Sequence, residues 1–260
     1  MSPRIAIAGA NGRMGRVLID RVLQSADLEL AAVTVKSGAT CEAAEAQAVC
    51  HGDVTAALTS ADVLVDFTLP DTVAAHAAAC LDSGVAWVLG TTGLDAEQQA
   101  LVHDASRRAP VCQAANFSTG VTLMLRLAEL AARAFDDDTD LEVIEAHHRH
   151  KVDAPSGTAL ALGRALAAGR GVALDEHAVF SREGITGARP PGAIGFATVR
   201  AGDIIGEHTA LFAAEGERLE ITHRAGSRDA FALGALRAAR WLVKQKPGLY
   251  DMQDVLKLKA

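Results

Sequence analysis

The chemistry-bearing residues of this chain crowd into one run, Glu145-Ala-His-His-Arg-His-Lys-Val-Asp-Ala-Pro-Ser-Gly-Thr158. His147, His148, Arg149, His150 and Lys151 are consecutive, and cationic groups this close repel one another. Such density costs stability, so it points to chemistry: titratable groups for proton transfer and fixed charge for an anion. Pro155 cannot sit inside a helix and pushes Ala154 toward extended geometry, so a helix starts at or just after it. Ser156 is then the N-cap, which leaves the backbone N–H groups of Gly157 and Thr158 to point outward at the positive helix end. Gly157 lets a ligand approach the backbone. With His148 and Lys151 nearby, the group this start receives is a carboxylate or phosphate of a small molecule. Arg149 and His150 read differently, as a solvated basic loop, because adjacent positions cannot all face one pocket.

Elements on either side must hold that run in place. Leu141 to Ala146 is β-branched and alternating, as a strand, and Thr158 to Ala168 has the composition of a helix. His147 to Lys151 would then lie in the crossover beyond the strand end. Elsewhere, Arg4 to Ala8 is a short apolar run of the buried parallel type. It is followed at once by Gly9, Ala10, Asn11, Gly12, Arg13, Met14 and Gly15, then by the helical pattern of Val17, Leu18, Val22 and Leu23. Strand, glycine turn and helix in this order suit a dinucleotide pyrophosphate, although the spacing is G-x-x-G-x-x-G. The alternative is an ordinary glycine-containing βα turn.

The second strand, Leu28 to Val35, ends where an NAD-preferring fold carries an acidic residue for the adenosine ribose. Here Val35 is followed by Lys36. Nothing at that position repels a 2′-phosphate and Lys36 can pair with one, so NADPH is expected to serve at least as well as NADH. The competing reading of Lys36 is a solvated loop lysine.

Residues 37–60 read as a loop with an irregular helix, after which strand and helix alternate again through Val63–Thr68, Val85–Leu89 and Val111–Ala115. Thr68, Gly90, Thr91, Thr92, Ala114, Ala115, Asn116 and Phe117 fall at successive strand ends, where ligands of doubly wound sheets bind. A long helix, Gly120 to Phe135, leads to the acidic turn Asp136 to Asp140. That turn lacks the glycine and terminal glutamate of a calcium loop. Segments 194–202, 206–212 and 217–223 alternate polar and apolar residues, as antiparallel strands with one exposed face. A last helix, Asp229 to Lys244, and the tail to Leu258 return to the first domain. The expected architecture is α/β: a Rossmann-like, doubly wound parallel-sheet domain over 1–118 and 228–260, plus an α+β domain over 119–227 with a mostly antiparallel open sheet. The two crossings near Ser118 and Ser227 form a hinge in this reading.

Composition narrows the function. The chain has 260 residues, is 50% hydrophobic with 4% aromatics, and carries a formal net charge of −7. That charge argues against a sequence-independent nucleic-acid binder. No apolar run suits a membrane span, and no signal-peptide pattern is evident, so a cytoplasmic protein is expected. Cys41, Cys50, Cys80 and Cys112 lack metal-type spacing and read as buried thiols. No metal site is expected: a zinc hydrolase is a rival on paper, but adjacent histidines diverge and no H-E-x-x-H completes a site.

The run from Glu145 to Thr158 closely resembles the signature of the 4-hydroxy-tetrahydrodipicolinate reductase (dihydrodipicolinate reductase) family. Ile7 to Gly15, Gly90-Thr-Thr-Gly93 and Ala114-Ala-Asn-Phe117 are similar to its cofactor loops. Ile194 to Asp203 and Gly206-Glu-His-Thr209 are similar to its substrate domain, so the resemblance covers essentially the whole chain. It implies reduction of 4-hydroxy-tetrahydrodipicolinate to tetrahydrodipicolinate by NADPH or NADH, in the diaminopimelate route to lysine. It further implies His147 and Lys151 as proton donors, with His148, Ser156, Gly157 and Thr158 holding a dicarboxylate substrate in a cytoplasmic homotetramer. At Val35 the chain departs from the family's acidic residue, and only Lys36 retains its pattern. Another two-domain NAD(P)-dependent dehydrogenase, or a non-catalytic NAD(P)-binding sensor, would share the fold.

Overall fold

The computed structural model describes residues 2–36, 38–40 and 49–259. The chain divides into two compact units, Met1–Thr119 with Arg228–Ala260, and Gly120–Ser227. The first unit holds strands β1 (Arg4–Ala8), β2 (Glu29–Thr34), β3 (Val49–His51), β4 (Val63–Asp66), β5 (Ala86–Leu89) and β6 (Pro110–Gln113). Between them run helices α1 (Arg13–Leu23), α2 (Val54–Leu58), α3 (Val73–Ser83) and α4 (Ala96–Ser106). The second unit holds α5 (Thr119–Ala134), β7 (Asp140–His147), α6 (Gly157–Arg170), α7 (Leu174–His177), β8 (Ala178–Val179), β9 (Ile194–Arg200), β10 (Glu207–Ala214) and β11 (Glu217–Arg224). The chain then returns with α8 (Asp229–Leu242), β12 (Gly248–Tyr250) and α9 (Met252–Leu256).

All strands of the first unit pair in parallel, in the order β12-β6-β5-β4-β1-β2-β3. Strands β4 and β5 are buried at every position, as a parallel sheet covered on both faces requires. Alternation splits their side chains between two cores. Ile5, Ile7, Val63, Val65 and Val88 pack with Leu18 and Val22 of α1 and Leu236 of α8. Ala6, Ala8, Leu64, Trp87 and Leu89 pack with Val73 of α3 and Val102 of α4. Since β1, β4, β5 and β6 run the same way, the turns after Ala8, Asp66, Leu89 and Gln113 share one sheet edge. Strand β3 lies in the stretch expected to be loop and helix; it is three residues long and too short for its alternation to stand out. Positions 37 and 41–48 of that stretch, with Cys41, lie outside the described residues. Cys80 and Cys112 are buried, whereas Cys50 is exposed, contrary to the expectation of a buried thiol.

The sheet of the second unit has the order β11-β10-β7-β9-β8. Strand β10 is antiparallel to both neighbours, but β9 joins β7 in parallel, which corrects the expectation that all three segments are antiparallel. Alternation records one-sided burial and not direction. The chain leaves β7 through helix α6, and such a crossover brings the next long strand back parallel. One sheet face packs Leu141, Val143, Ile194, Phe196 and Phe212 against Met124, Leu162 and Leu166. On the sheet strands, Ile144, Val199 and Leu219 are 39–45% exposed. The described helices include none long and apolar enough to cross a membrane.

Helix α8 reaches the first sheet through a glycine. A β-carbon at Gly234 would overlap the carbonyl group of Phe117, a residue that is itself buried and packs its ring edge-on to Phe67. Gly234→Ala gains about 1 kcal/mol in helix propensity but forces two backbones apart, an overpacking cost of about 1–3 kcal/mol or more. The expected net result is a lower urea midpoint. An unchanged or raised midpoint would contradict this account of the α8 contact.

Candidate active site

The first unit carries a cleft of about 880 Å³ at the C-terminal edge of its sheet, lined among others by Gly9, Asn11, Gly12, Lys36 and Thr68. Gly9 has φ +71°, a left-handed conformation that favours glycine, and its carbonyl accepts the Gly12 N–H at 2.9 Å. A β-carbon at Gly15 would collide with the Gly9 carbonyl, so the third glycine lets helix and turn pack together. Gly12 caps α1 with no side-chain hydrogen bond, which leaves the helix start open to an anion. The Asn11 side-chain oxygen Oδ1 is buried without a partner among the described residues, while its Nδ2 donates to the Thr40 carbonyl at 2.9 Å. A cradle shaped by glycines, an uncapped helix start and an orphaned acceptor fit a dinucleotide.

The wall of that cleft is held by a carboxylate with no exposure. Asp66 ends β4 and accepts from the Thr68 N–H at 2.9 Å, the Thr68 hydroxyl at 2.5 Å and the Trp87 indole at 3.3 Å, with His76 Nδ1 at 2.7 Å. Burial works against its ionisation, but the His76 and Thr68 hydrogen bonds outweigh it and hold its pKa below the ordinary value. Neither Asp66 nor His76 stood out in the sequence.

The second unit builds a polar network around Glu145, 1% exposed on β7. Strand alternation puts Glu145 and His147 on one face, and His147 Nδ1 meets Glu145 Oε2 at 2.5 Å. Arg200 grips both oxygens of Glu145 at 2.8 and 2.9 Å, from the position on β9 directly paired with His147. The Ser156 N–H donates to Glu145 Oε1 at 3.0 Å. Ser156 caps α6 as expected, its hydroxyl accepting from the Ala159 N–H at 3.2 Å and bonding His208 Nε2 at 2.9 Å. Nothing lies within 4 Å of a β-carbon placed on Gly157, so the helix start opens on free space there.

Charge in this cluster is tightly set. Burial raises the Glu145 pKa, yet Arg200, His147 and the Ser156 N–H bring it below the usual carboxylate range. Burial, with Lys151 and Arg200 nearby, lowers the His147 pKa despite the opposing pull of Glu145. Lys151 Nζ pairs with Asp153 Oδ1 at 2.7 Å. His208 is pushed down to about 4, chiefly by burial and then by the neighbouring His147.

The structure places His147 as the last residue of β7 and not in the crossover, so it stands on a rigid strand while His148 to Lys151 form the turn beyond. His148 is half-buried, and its Nδ1 has no partner among the described residues. Thr158 is half-buried beside exposed Gly157. In the first unit Ala10 is buried, its N–H bonded to the Thr34 carbonyl at 2.9 Å, and Arg13 is exposed. Met14 packs against the core. Gly90 leaves room for the Phe67 ring and Thr91 is buried beside Thr68, while Thr92 and Ala115 are exposed. Ala114 bonds the Leu89 carbonyl at 3.1 Å, Asn116 accepts the Ser118 N–H at 2.8 Å, and Phe117 is core. Sequence reading missed Glu145, Arg200 and His208 as parts of the site. Only the i, i+2 spacing of Glu145 and His147 carried a signal; the others arrive through strand pairing.

Glu145, His147 and His208 lie close enough to share a metal ion. Both carboxylate oxygens already serve Arg200, and a guanidinium 2.8 Å from Glu145 repels a cation. The donor set therefore fits proton chemistry better than zinc.

Known proteins resemble the chain along its whole length. The family description "Dihydrodipicolinate reductase, N-terminus" matches residues 3–117, and "Dihydrodipicolinate reductase, C-terminus" matches 120–256. The 4-hydroxy-tetrahydrodipicolinate reductase of Alkalilimnicola ehrlichii is 53% identical, covering 99% of this chain and 100% of that protein. That of Pseudomonas fluorescens is 51% identical over 98% and 99%. The dipicolinate-bound dihydrodipicolinate reductase from Paenisporosarcina sp. TG-14 superposes with a TM-score of 0.79 at 29% identity, over 98% of this chain and 99% of that one.

The low pKa of His208 gives the fold a pH dependence. Its folded value is about 4 against an ordinary 6.5, so the unfolded chain binds the proton more tightly. The stabilising contribution is whole above pH 6.5 and is lost progressively as pH falls to 4, up to about 3 kcal/mol. His147 and His223, also lowered, act in the same direction. Urea midpoints of the wild type should fall across this window. His208→Gln should flatten the fall, and an equally steep profile in that variant would assign the dependence elsewhere.

Proposed function

We infer, since this chain belongs to the dihydrodipicolinate reductase family, that it reduces 4-hydroxy-tetrahydrodipicolinate to tetrahydrodipicolinate in the diaminopimelate route to lysine. The observation that carries the reading is the Glu145 network, which presents His147 beside the open start of α6. A bound reduced nicotinamide dinucleotide would supply the hydride to a ring carbon. Gly9 to Gly15 would hold its pyrophosphate against the start of α1, and the turns through Thr68, Gly90 to Thr92 and Ala114 to Phe117 would frame the rest.

The substrate is a small dicarboxylate. One carboxylate meets Gly157 and Thr158 at the positive end of α6, beside the Ser156 cap. His148 and Lys151 supply further charge and hydrogen bonding around it. The 4-hydroxyl leaves as water, so the net additions are one hydride and one proton, and His147 and Lys151 are the groups that supply protons in these steps. The free protein depresses the His147 pKa, and an arriving dianion raises it again by charge alone. A dianion beside the ring therefore favours the imidazolium, and Lys151 stands next to it paired with Asp153.

NADPH is the somewhat favoured cofactor. Val35 is buried and offers no carboxylate to a ribose, while exposed Lys36 lines the cleft. Asp53 lines it too, but spends its oxygens capping α2 through the Thr55 and Ala56 N–H groups. The exposed apolar residues Ile144 and Val199, on the sheet face opposite Leu141 and Phe212, support a homotetramer joined through its open sheets, which we place in the cytoplasm.

Loss of reduced-nicotinamide absorbance with enzymatically generated substrate tests the activity. In that assay His147→Gln should lower kcat about 10²–10⁴-fold with a small change in KM, and Lys151→Ala should damage both. Wild-type kinetics in both variants would remove the donor assignment. Lys36→Ala should raise the KM for NADPH about 10-fold, the loss of roughly one charge-assisted contact, and leave that for NADH nearly unchanged. Equal effects on both cofactors would place Lys36 outside phosphate recognition.

A further inference from the structure

We propose that Glu145 is a positioning residue for the reduction: it fixes which imidazole nitrogen of His147 delivers the proton and ties that nitrogen to the substrate-binding start of α6. The proposal rests on the reading of His147 as a proton donor. Glu145 Oε2 takes the Nδ1 side of the ring at 2.5 Å, so Nδ1 carries a hydrogen in every protonation state and Nε2 is the atom left to exchange one. A β-carbon on Gly206 would stand 3.1 Å from Nε2, tighter than ordinary contact, so the glycine spares this side of the ring that crowding.

The carboxylate cannot turn away from this duty. Both its oxygens are held by Arg200, and Oε1 also takes the Ser156 N–H. Arg200 additionally donates to the Asp153 carbonyl at 2.6 Å, so the same two side chains clamp the turn between His147 and the helix. Imidazole and helix cap therefore share one rigid support, and the distance between proton donor and carboxylate receiver is set by Glu145.

Glu145 also supplies the only negative charge in contact with the ring among the described residues. The other charged or titratable groups near His147 are Lys151 and Arg200, which oppose the imidazolium, and His208, whose ring lies 5.1 Å away. Asp153 faces Lys151 instead. His223 stands across from His208 on β11. Removing the Glu145 charge while keeping its shape should make the imidazolium harder to form.

Glu145→Gln tests this in steady-state kinetics. Expected are a fall in kcat of about 10²-fold or more, a basic limb of the kcat profile displaced to lower pH, and an unchanged KM for the reduced dinucleotide. Glu145→Asp should return the basic limb toward its wild-type position. A residue that only stabilised the fold would lower the thermal midpoint and leave the profile per active site where it was, and that result overturns the proposal. Nitrogen-15 NMR of the wild-type imidazoles decides the matter even if the variants do not fold. Neutral His147 should carry its hydrogen on Nδ1, and a hydrogen on Nε2 overturns the proposal. If Glu145→Gln alone keeps wild-type turnover, the positioning role fails; if His147→Gln does, the donor assignment fails with it.

Discussion

The polar cluster of the second unit is organised around one buried carboxylate. Glu145 has almost no contact with water, yet it is ionised, because Arg200, His147 and the Ser156 N–H replace the solvent it lost. Its partners come from three places in the chain. His147 is its neighbour on β7, Arg200 sits across the parallel ladder on β9, and Ser156 opens the helix that follows. Displacing Arg200 would leave this charge without its cationic partner in a dry interior, so the fold holds the three partners together.

The first unit solves its own problem the same way. Asp66 ends a strand that is buried throughout, and its oxygens hold the backbone and hydroxyl of Thr68, the indole of Trp87 and the ring of His76. A strand end is where the ladder stops satisfying the backbone, and a loop beginning there would otherwise be free to wander. An acidic side chain at the last strand position hands those groups a partner and turns a loop into a fixed wall. Both units thus place a buried carboxylate beneath the turn that follows a strand. Lys36 in the first unit is exposed and Lys151 in the second is half-buried.

Local pattern made much of this legible. Glycines at 9, 12 and 15, the apolar strand ahead of them and the Ser156 cap are short-range devices, and each forms where the sequence placed it. The doubly wound sheet followed from alternation of elements. What stayed hidden were contacts made by pairing distant segments. Arg200 lies far from Glu145 in the chain, and nothing in its own surroundings marks it as a partner. The direction of β9 was hidden for the same reason, since a strand with one wet face alternates identically in either direction. His147 was placed one residue too far along because the polar run after it masked the strand's last position.

The economy of the Glu145 cluster argues about purpose as well as structure. Replacing a buried ion pair by apolar residues of similar volume is commonly neutral or stabilising, so stability alone gives no reason to keep this one. Burial of the histidines themselves depresses their pKa values, His208 to about 4, and makes the fold less tolerant of acid. Such a cost, with a glycine at the position where a β-carbon would stand 3.1 Å from Nε2 of His147, fits a ring whose placement matters for proton transfer. It is the strongest physical ground for reading the run from Glu145 to Thr158 as machinery and not as a basic loop.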